Sequence, residues 1–384
     1  MLKQGIGIGL AVLALGWSGC GGDSGMRDLK SGIAAFREKR YDDAVVAFEK
    51  ASRRIGNSTE LYYYLGCSRL LKGELDLAYA AFNSAIDVNP NHGESLAGMG
   101  EVAYFRNELP KARGLFLQAV MQQMASPEAA AMAYNGLSMV YREEKKPALA
   151  RLSLLNAQRC CKDYAPTYYN LAQLYGDTYH LYEEAVDQLG LYLQLADKSD
   201  AYYEKAKNHM KRFGAAAAAI PPAVPAGASR DEAAAQRLLD QAMEMQVAKR
   251  YPRAAKAFRD ALNADPGNFN AAWGLGVVSA KQRLRVEARD AFKRASALRP
   301  GFLDAYVSAA EQSFQMRKYD EAEQLIAPAI ARSPFYLPAV KLMGEICKGR
   351  KDTEAARMHG EFCLSLLKEN DPQYAECKAW LESL

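Results

Sequence analysis

The sequence predicts an all-α solenoid of helical hairpins, on three observations. Alanines recur thirty-four residues apart at Ala44, Ala78 and Ala112, and again at Ala254, Ala288, Ala322 and Ala356. Six of them are followed four residues later by a bulky apolar side chain (Phe48, Phe82, Phe116, Phe258, Phe292, Ile326) and seven residues later by alanine. A small residue stands twelve before each (Gly32, Gly66, Gly100, Ala242, Gly276, Ala310, Gly344), and proline twelve after in four repeats (Pro90, Pro266, Pro300, Pro334). A fixed period of this kind is one helix–turn–helix copied along the chain, each copy burying its apolar face against its neighbours.

The elements follow in chain order. Met1-Leu2-Lys3, the apolar run Gly5–Gly16 and Trp17-Ser18-Gly19-Cys20 predict an export signal over residues 1–19. Its apolar core is about a dozen residues, too short to span a bilayer. The end of the run resembles the bacterial lipobox, with Trp17 in place of the usual leucine. That resemblance implies lipid attachment at Cys20; an ordinary cleaved signal and an uncleaved anchor are the alternatives. Gly21 rather than aspartate after the cysteine implies, by the same resemblance, sorting to the outer membrane, facing the periplasm. Residues 20–25 read as a flexible tether.

The first module, 26–213, holds three regular repeats and two looser ones. Tyr134, Leu137, Ser138, Tyr141, Ala150, Leu154 and Ala157 fit the fourth after a four-residue insertion near Ala125–Glu128. Tyr168, Leu171, Ala172, Tyr175, Ala185 and Leu189 fit the fifth, with one extra residue in the Gly176–Leu181 turn. Asp200–Phe213 predicts one amphipathic capping helix. Residues 214–229 (GAAAAAIPPAVPAGAS) carry no charge and no repeat spacing, and read as an alanine–proline–glycine linker. The second module, 230–384, holds four repeats and a cap, Pro372–Leu384, with Trp380 and Leu381 to pack it down.

The pattern has a physical reason. Antiparallel helices approach closely only where side chains are small, the bulky residue fills the space beside the next helix, and proline stops the second helix. These residues resemble the tetratricopeptide repeat, small at positions 8, 20 and 27, bulky at 24 and proline at 32. By that register the first helix of each repeat lines a concave groove, at positions 2, 5, 9 and 12. The first module then offers Tyr63, Glu101, Tyr104, Asn135, Arg142, Tyr169 and Gln173, with Tyr64 and Asn170 adjacent. The second offers Trp273, Glu311, Phe314, Lys341, Glu345 and Lys348. Aromatic and amide side chains suit peptide binding, since rings supply area at low entropy cost and amides pair with a backbone. Ordinary half-exposed packing is the competing reading. The Lys–Asn–Asn–Lys–Arg clamp of chaperone-tail binders is missing: position 5 is Tyr63, Ala97 and Asn135, and position 9 is Cys67, Glu101 and Met139.

The formal charge is +4, and losing Lys3 with the signal leaves +3, which does not predict a nucleic-acid partner. Basic residues concentrate between Lys249 and Arg299, among them Arg250, Arg253, Arg283, Arg285 and Arg289. They read as solvated outer faces or, alternatively, as a surface for an anionic partner. Cys347, Cys363 and Cys377 lie close in the last repeat and cap, where any two of the three could pair; free buried thiols are the other reading. Cys160 and Cys161 are vicinal and unsuited to pairing. Among four histidines none falls in a zinc motif, and no nucleophile elbow or phosphate loop occurs, so neither enzyme activity nor a metal or cofactor is expected. The plan resembles envelope repeat lipoproteins serving pilus or secretin assembly, outer-membrane protein insertion or control of cell-wall enzymes. It implies a membrane-anchored scaffold for a protein or peptide partner, in a setting without nucleic acid. The alternative is a module binding an anionic envelope polymer through the basic second half; salt would weaken that binding steeply. Oligomeric state is not legible.

Overall fold

The computed structural model describes residues 23–122, 124, 126–198, 200–220 and 231–384. Among the described residues there are no strands, and the helices pair into nine hairpins. Five come first: α1 (Asp23–Arg37) with α2 (Tyr41–Ile55), α3 (Thr59–Lys72) with α4 (Leu75–Val88), α5 (Gly93–Phe105) with α6 (Leu109–Met121), α7 (Pro127–Glu143) with α8 (Pro147–Cys160), and α9 (Ala165–Gln173) with α10 (Tyr182–Leu195). A lone helix α11 (Tyr203–Ala218) follows. Then come α12 (Glu232–Val247) with α13 (Tyr251–Ala264), α14 (Phe269–Lys281) with α15 (Arg285–Leu298), α16 (Leu303–Gln315) with α17 (Tyr319–Arg332), and α18 (Leu337–Gly349) with α19 (Thr353–Ser365). Helix α20 (Pro372–Glu382) is unpaired. The all-α hairpin solenoid read from the period is the fold observed.

The described chain divides into two compact units. One comprises the residues up to Leu174 together with Ala185–Lys211; the other is Tyr175–Glu184 with Arg212–Leu384. In the first unit the marker alanines Ala44, Ala78 and Ala112 are fully buried, as are Phe48, Phe82 and Phe116. Each phenylalanine needs glycine beside it. A Cβ on Gly66 would sit 2.6 Å from the Phe82 ring and one on Gly98, in the following repeat, 2.5 Å from it. Phe116 lies likewise against Gly100 of its own repeat and Gly136 of the next. The Phe82 and Phe116 rings therefore plug into the repeat that follows them.

In the second unit Phe258 packs against Gly274 of the following repeat, and Phe292 against Gly276 of its own. The last repeat has Gly360 where the others have a bulky residue. There Trp380 and Leu381 of α20 supply the missing bulk, against Gly344 and Gly360. Residues 175–184 belong to this unit: Tyr179 Oη donates to buried Glu323 at 2.6 Å, Arg350 pairs with the same carboxylate at 2.5 Å, and Glu184 pairs with Arg332 at 2.6 Å.

The irregular repeats are accommodated locally. The four-residue insertion lengthens α7 to 17 residues against 13 in α5, with Ser126 accepting from the Ala129 amide as its N-cap. The extra residue near Gly176 is absorbed as a π-helical turn, Leu174–Thr178. Two boundaries differ from the sequence reading. Helix α1 begins at Asp23, so Asp23–Gly25 of the expected tether are helical. Helix α11 runs through Gly214–Ala218, because an alanine run is the best helix former available. Cys20 and residues 221–229 of the expected linker lie outside the described residues.

One device escaped the sequence reading. Five residues before the marker alanine, every repeat holds a left-handed residue that turns the first helix into the second. They are Lys39, Gly73, Asn107, Lys145, His180, Lys249, Arg283, Arg317 and Lys351, with φ between 55° and 82°. Only one is glycine, although a side chain makes this conformation costly.

Candidate groove site in the first unit

The first helices of successive hairpins touch one another directly in the first unit, α3 with α5, α5 with α7 and α7 with α9. They form a continuous face, and α11 closes its far end. Asp200 fixes that closure: it accepts from Tyr192 Oη at 2.8 Å and from the Tyr202 amide at 2.8 Å, setting the start of α11. Between α5, α7, α9 and α11 lies a cavity of about 520 Å³. Tyr104, Met139, Arg142, Glu143, Tyr169, Asn170 and Gln173 line one side; Tyr202, Lys205, Asn208 and His209 line the other.

The lining is rigid where it is aromatic. Tyr169 sits between Tyr192, Tyr202 and His209, with ring centroids 5.3, 5.2 and 5.8 Å away and the histidine nearly parallel. Lys205 Nζ lies 4.9 Å from the centre of the Tyr202 ring. Arg142 Nη1 donates to Gln173 Oε1 at 2.7 Å. Asn170 Nδ2 donates to Asn135 Oδ1 at 3.0 Å in the interior behind. Burial raises the Tyr104 phenol, reinforced by Glu143, so that it stays a protonated donor at neutral pH. The cavity thus presents both signs of charge, amide groups and a fixed tyrosine platform.

Helix α5 also carries buried polar groups. Glu101 is buried, and its carboxyl is pushed up to about 8 by desolvation. Its Oε1 has no hydrogen-bond partner among the described residues. Burial also lowers His92, against the opposing pull of Glu94 at 3.5 Å. His92 serves structurally, accepting from the Ser95 amide as the N-cap of α5.

The sequence-predicted residues separate accordingly. Tyr104, Tyr169, Asn170, Arg142 and Gln173 are brought together at the cavity. Tyr63 and Tyr64 are buried: Tyr63 packs on Phe82 and His92, and Tyr64 on Phe36 and Phe48. Their rings fill the space beside the neighbouring hairpins instead of facing outward. Asn135 is fully buried as the support of Asn170. In the second unit Trp273 packs between Phe292 and Phe302, both 5.0 Å away. Lys341 pairs with Glu376, and Lys348 bonds to Ser383. Among the basic residues, Arg250, Arg253 and Arg283 are exposed, Arg285 is half-buried, and Arg289 is held by Glu321 and Asp290. Lys205, Asn208 and His209 were not foreseen as lining; their signal was an amphipathic helix outside the period. Among the described residues no cluster of histidine, cysteine and carboxylate groups is arranged to hold a metal, and no helix is long and apolar enough to cross a membrane.

The tetratricopeptide repeat profile matches residues 29–93 and 239–301. No curated protein is detectably similar in sequence. Among solved structures the chain is similar to Pseudomonas aeruginosa pilF at 16% identity, covering 67% of this chain and 98% of that one with a TM-score of 0.41. It is also similar to a thermophilic tetratricopeptide protein of Thermus thermophilus, at 21% identity, 50% and 99% coverage and a TM-score of 0.42. YrrB, described as a tetratricopeptide protein with an unusual peptide-binding site, is 15% identical over 72% of this chain and 100% of its own, with a TM-score of 0.31. These likenesses concern the fold alone; the repeat assignment rests on the profile and on the hairpins described above.

Proposed function

We propose that this protein is an exported, non-catalytic scaffold, anchored through a lipid on Cys20 to a bacterial outer membrane. In this reading it holds an extended segment of an envelope partner protein on the first-helix face of its first unit. The observation that carries the binding site is the cavity between α5, α7, α9 and α11. A peptide laid there meets the fixed rings of Tyr104 and Tyr169 and donors from Arg142, Lys205 and Asn170. Rigid aromatics and already positioned amides reduce the ordering cost of association. The resemblance to lipoprotein signals supports the anchor. The polymer-binding alternative has less support, since Arg259 and Arg289 already pair with Glu287, Glu321 and Asp290.

The test places a photo-crosslinking amino acid at position 104 and, as a control, at exposed position 46 on α2. The expected result is one partner adduct from position 104, lost in Arg142→Ala with circular dichroism unchanged and absent from position 46. Equal adducts from both positions would overturn the groove assignment. Palmitate labelling that disappears in Cys20→Ser tests the anchor separately. Unlabelled wild-type protein would remove the anchor and leave the groove reading standing.

A further inference from the structure

The terminal helix α20 is thinly held. Cys377 is its one fully buried residue. Half-buried Trp380 and Leu381 also hold it, with the Lys341–Glu376 pair at 3.2 Å and Lys348, which lies over the Trp380 ring and bonds to Ser383. Yet this helix supplies the bulk that the last repeat lacks at Gly360. The Cys377 Sγ lies 3.2 Å from Cys363 Sγ on α19, with both residues buried. Both thiols also border a small cavity of about 70 Å³, beside His359 and Trp380. Cys347 is buried too, on α18.

We propose that Cys363 and Cys377 close a disulfide that staples α20 to α19. The bond forms by exchange with a disulfide oxidant, small-molecule or protein-borne. One thiolate attacks the oxidant and gives a mixed disulfide, and the second displaces the remaining thiol. One S–S bond is broken and one made, and two electrons and two protons end on the oxidant's thiols. Desolvation, with the neighbouring thiol adding to it, pushes the Cys363 thiol up to about 12. Seated and desolvated, Cys363 is therefore a slow nucleophile, and the bond is made while the chain folds, before α20 docks. Once made it closes a short loop, which limits the freedom of the detached helix. The staple rests on the exported location proposed above only for where the oxidant is met.

The test refolds the full chain in a glutathione redox buffer, blocks residual thiols with N-ethylmaleimide, and maps the digest by mass spectrometry. The expected result is a linked pair of peptides carrying Cys363 and Cys377, about 2 Da lighter than the two together and separated by dithiothreitol. Limited proteolysis within α20 should be at least about fivefold slower in the oxidised form. In Cys377→Ser that rate should match reduced wild type and ignore dithiothreitol. If this variant does not fold, the comparison of wild type with and without dithiothreitol decides. Maleimide on both cysteines after oxidising refolding, or a link from either one to Cys347, would overturn the proposal. Because the refolding supplies its own oxidant, a failure here is separate from a failure of the anchor reading.

Discussion

On the first helices of the first unit, the buried polar groups include Glu94, Glu101, Asn135 and Asn170; at the corresponding helices of the second, they are Ser279, Gln312 and Ser313. Both sets sit on the same hairpin scaffold, and both units use the same phenylalanine-and-glycine packing. On these helices the second unit keeps two serines and a glutamine, one serine satisfied within its own hairpin, where Ser279 Oγ donates to Glu287, and its buried acid Glu323 stands on α17 instead. The first places acids and amides on its first helices. Packing in a repeat protein constrains a few positions per copy, and the others are free to carry recognition chemistry. Buried polar groups are costly unless paired, so their concentration on the first helices of one unit marks where that freedom has been used.

Four changes would break or sharpen the contrast. The largest effect should be common to both units: Phe82→Ala in the first and Phe258→Ala in the second should each cost about 3–5 kcal/mol in denaturant unfolding. A cost confined to one unit would show that the packing is not shared. Next comes pH, which should act on the first unit. The Glu101 carboxyl titrates near 4.5 when unfolded and about 8 when folded, so the folded state keeps a proton that the unfolded state has released. The stabilisation is therefore full below about 4.5, falls as pH rises, and is gone above about 8, a span worth up to a few kcal/mol. Glu101→Gln should flatten that slope in melting curves recorded between pH 5 and pH 8.

Smaller again is overpacking. Ala78→Leu and Gly98→Ala should each cost about 1–3 kcal/mol, because fully buried Ala78 and the Phe82 ring leave no room for added atoms; an unchanged melting temperature would refute the register. The smallest effects should come from the left-handed turns, with opposite signs. Gly73→Ala should lose about 1 kcal/mol. Arg317→Gly should gain at most about 0.5 kcal/mol, as relieved strain is partly offset by a freer unfolded chain.

The fold was legible because its determinants are periodic: Ala44 to Ala112 and Phe48 to Phe116 repeat a contact that every copy must make. The left-handed turns were not, since lysine and arginine hold a conformation that only Gly73 advertises. The site was legible in part. Register places Tyr104, Tyr169 and Asn170 on the helices that line the candidate cavity, but it does not say what a neighbouring hairpin contributes. Tyr63 and Tyr64 fall at or beside groove positions by register, yet both are buried against Phe82, Phe36 and Phe48. The wall supplied by Lys205 and His209 comes from a helix outside the period, where no register could assign it. The three C-terminal cysteines were visible as a set, whereas the choice of Cys363 with Cys377 needed the seat of α20.

The forward-pointing phenylalanines give the chain a direction. In several hairpins the second helix ends on a plug and the first helix of the next begins with a socket, so the plug is answered by the copy that comes after it, as Phe82 is by Gly98, Phe116 by Gly136 and Phe258 by Gly274. A solenoid of this kind can be lengthened by whole hairpins without inventing a new interface, since any inserted copy brings both parts. What it cannot do is stop at will. The final copy must either lose its plug, as Gly360 has, or acquire something to receive it, so growth in length is cheap and termination is where new sequence has to be found.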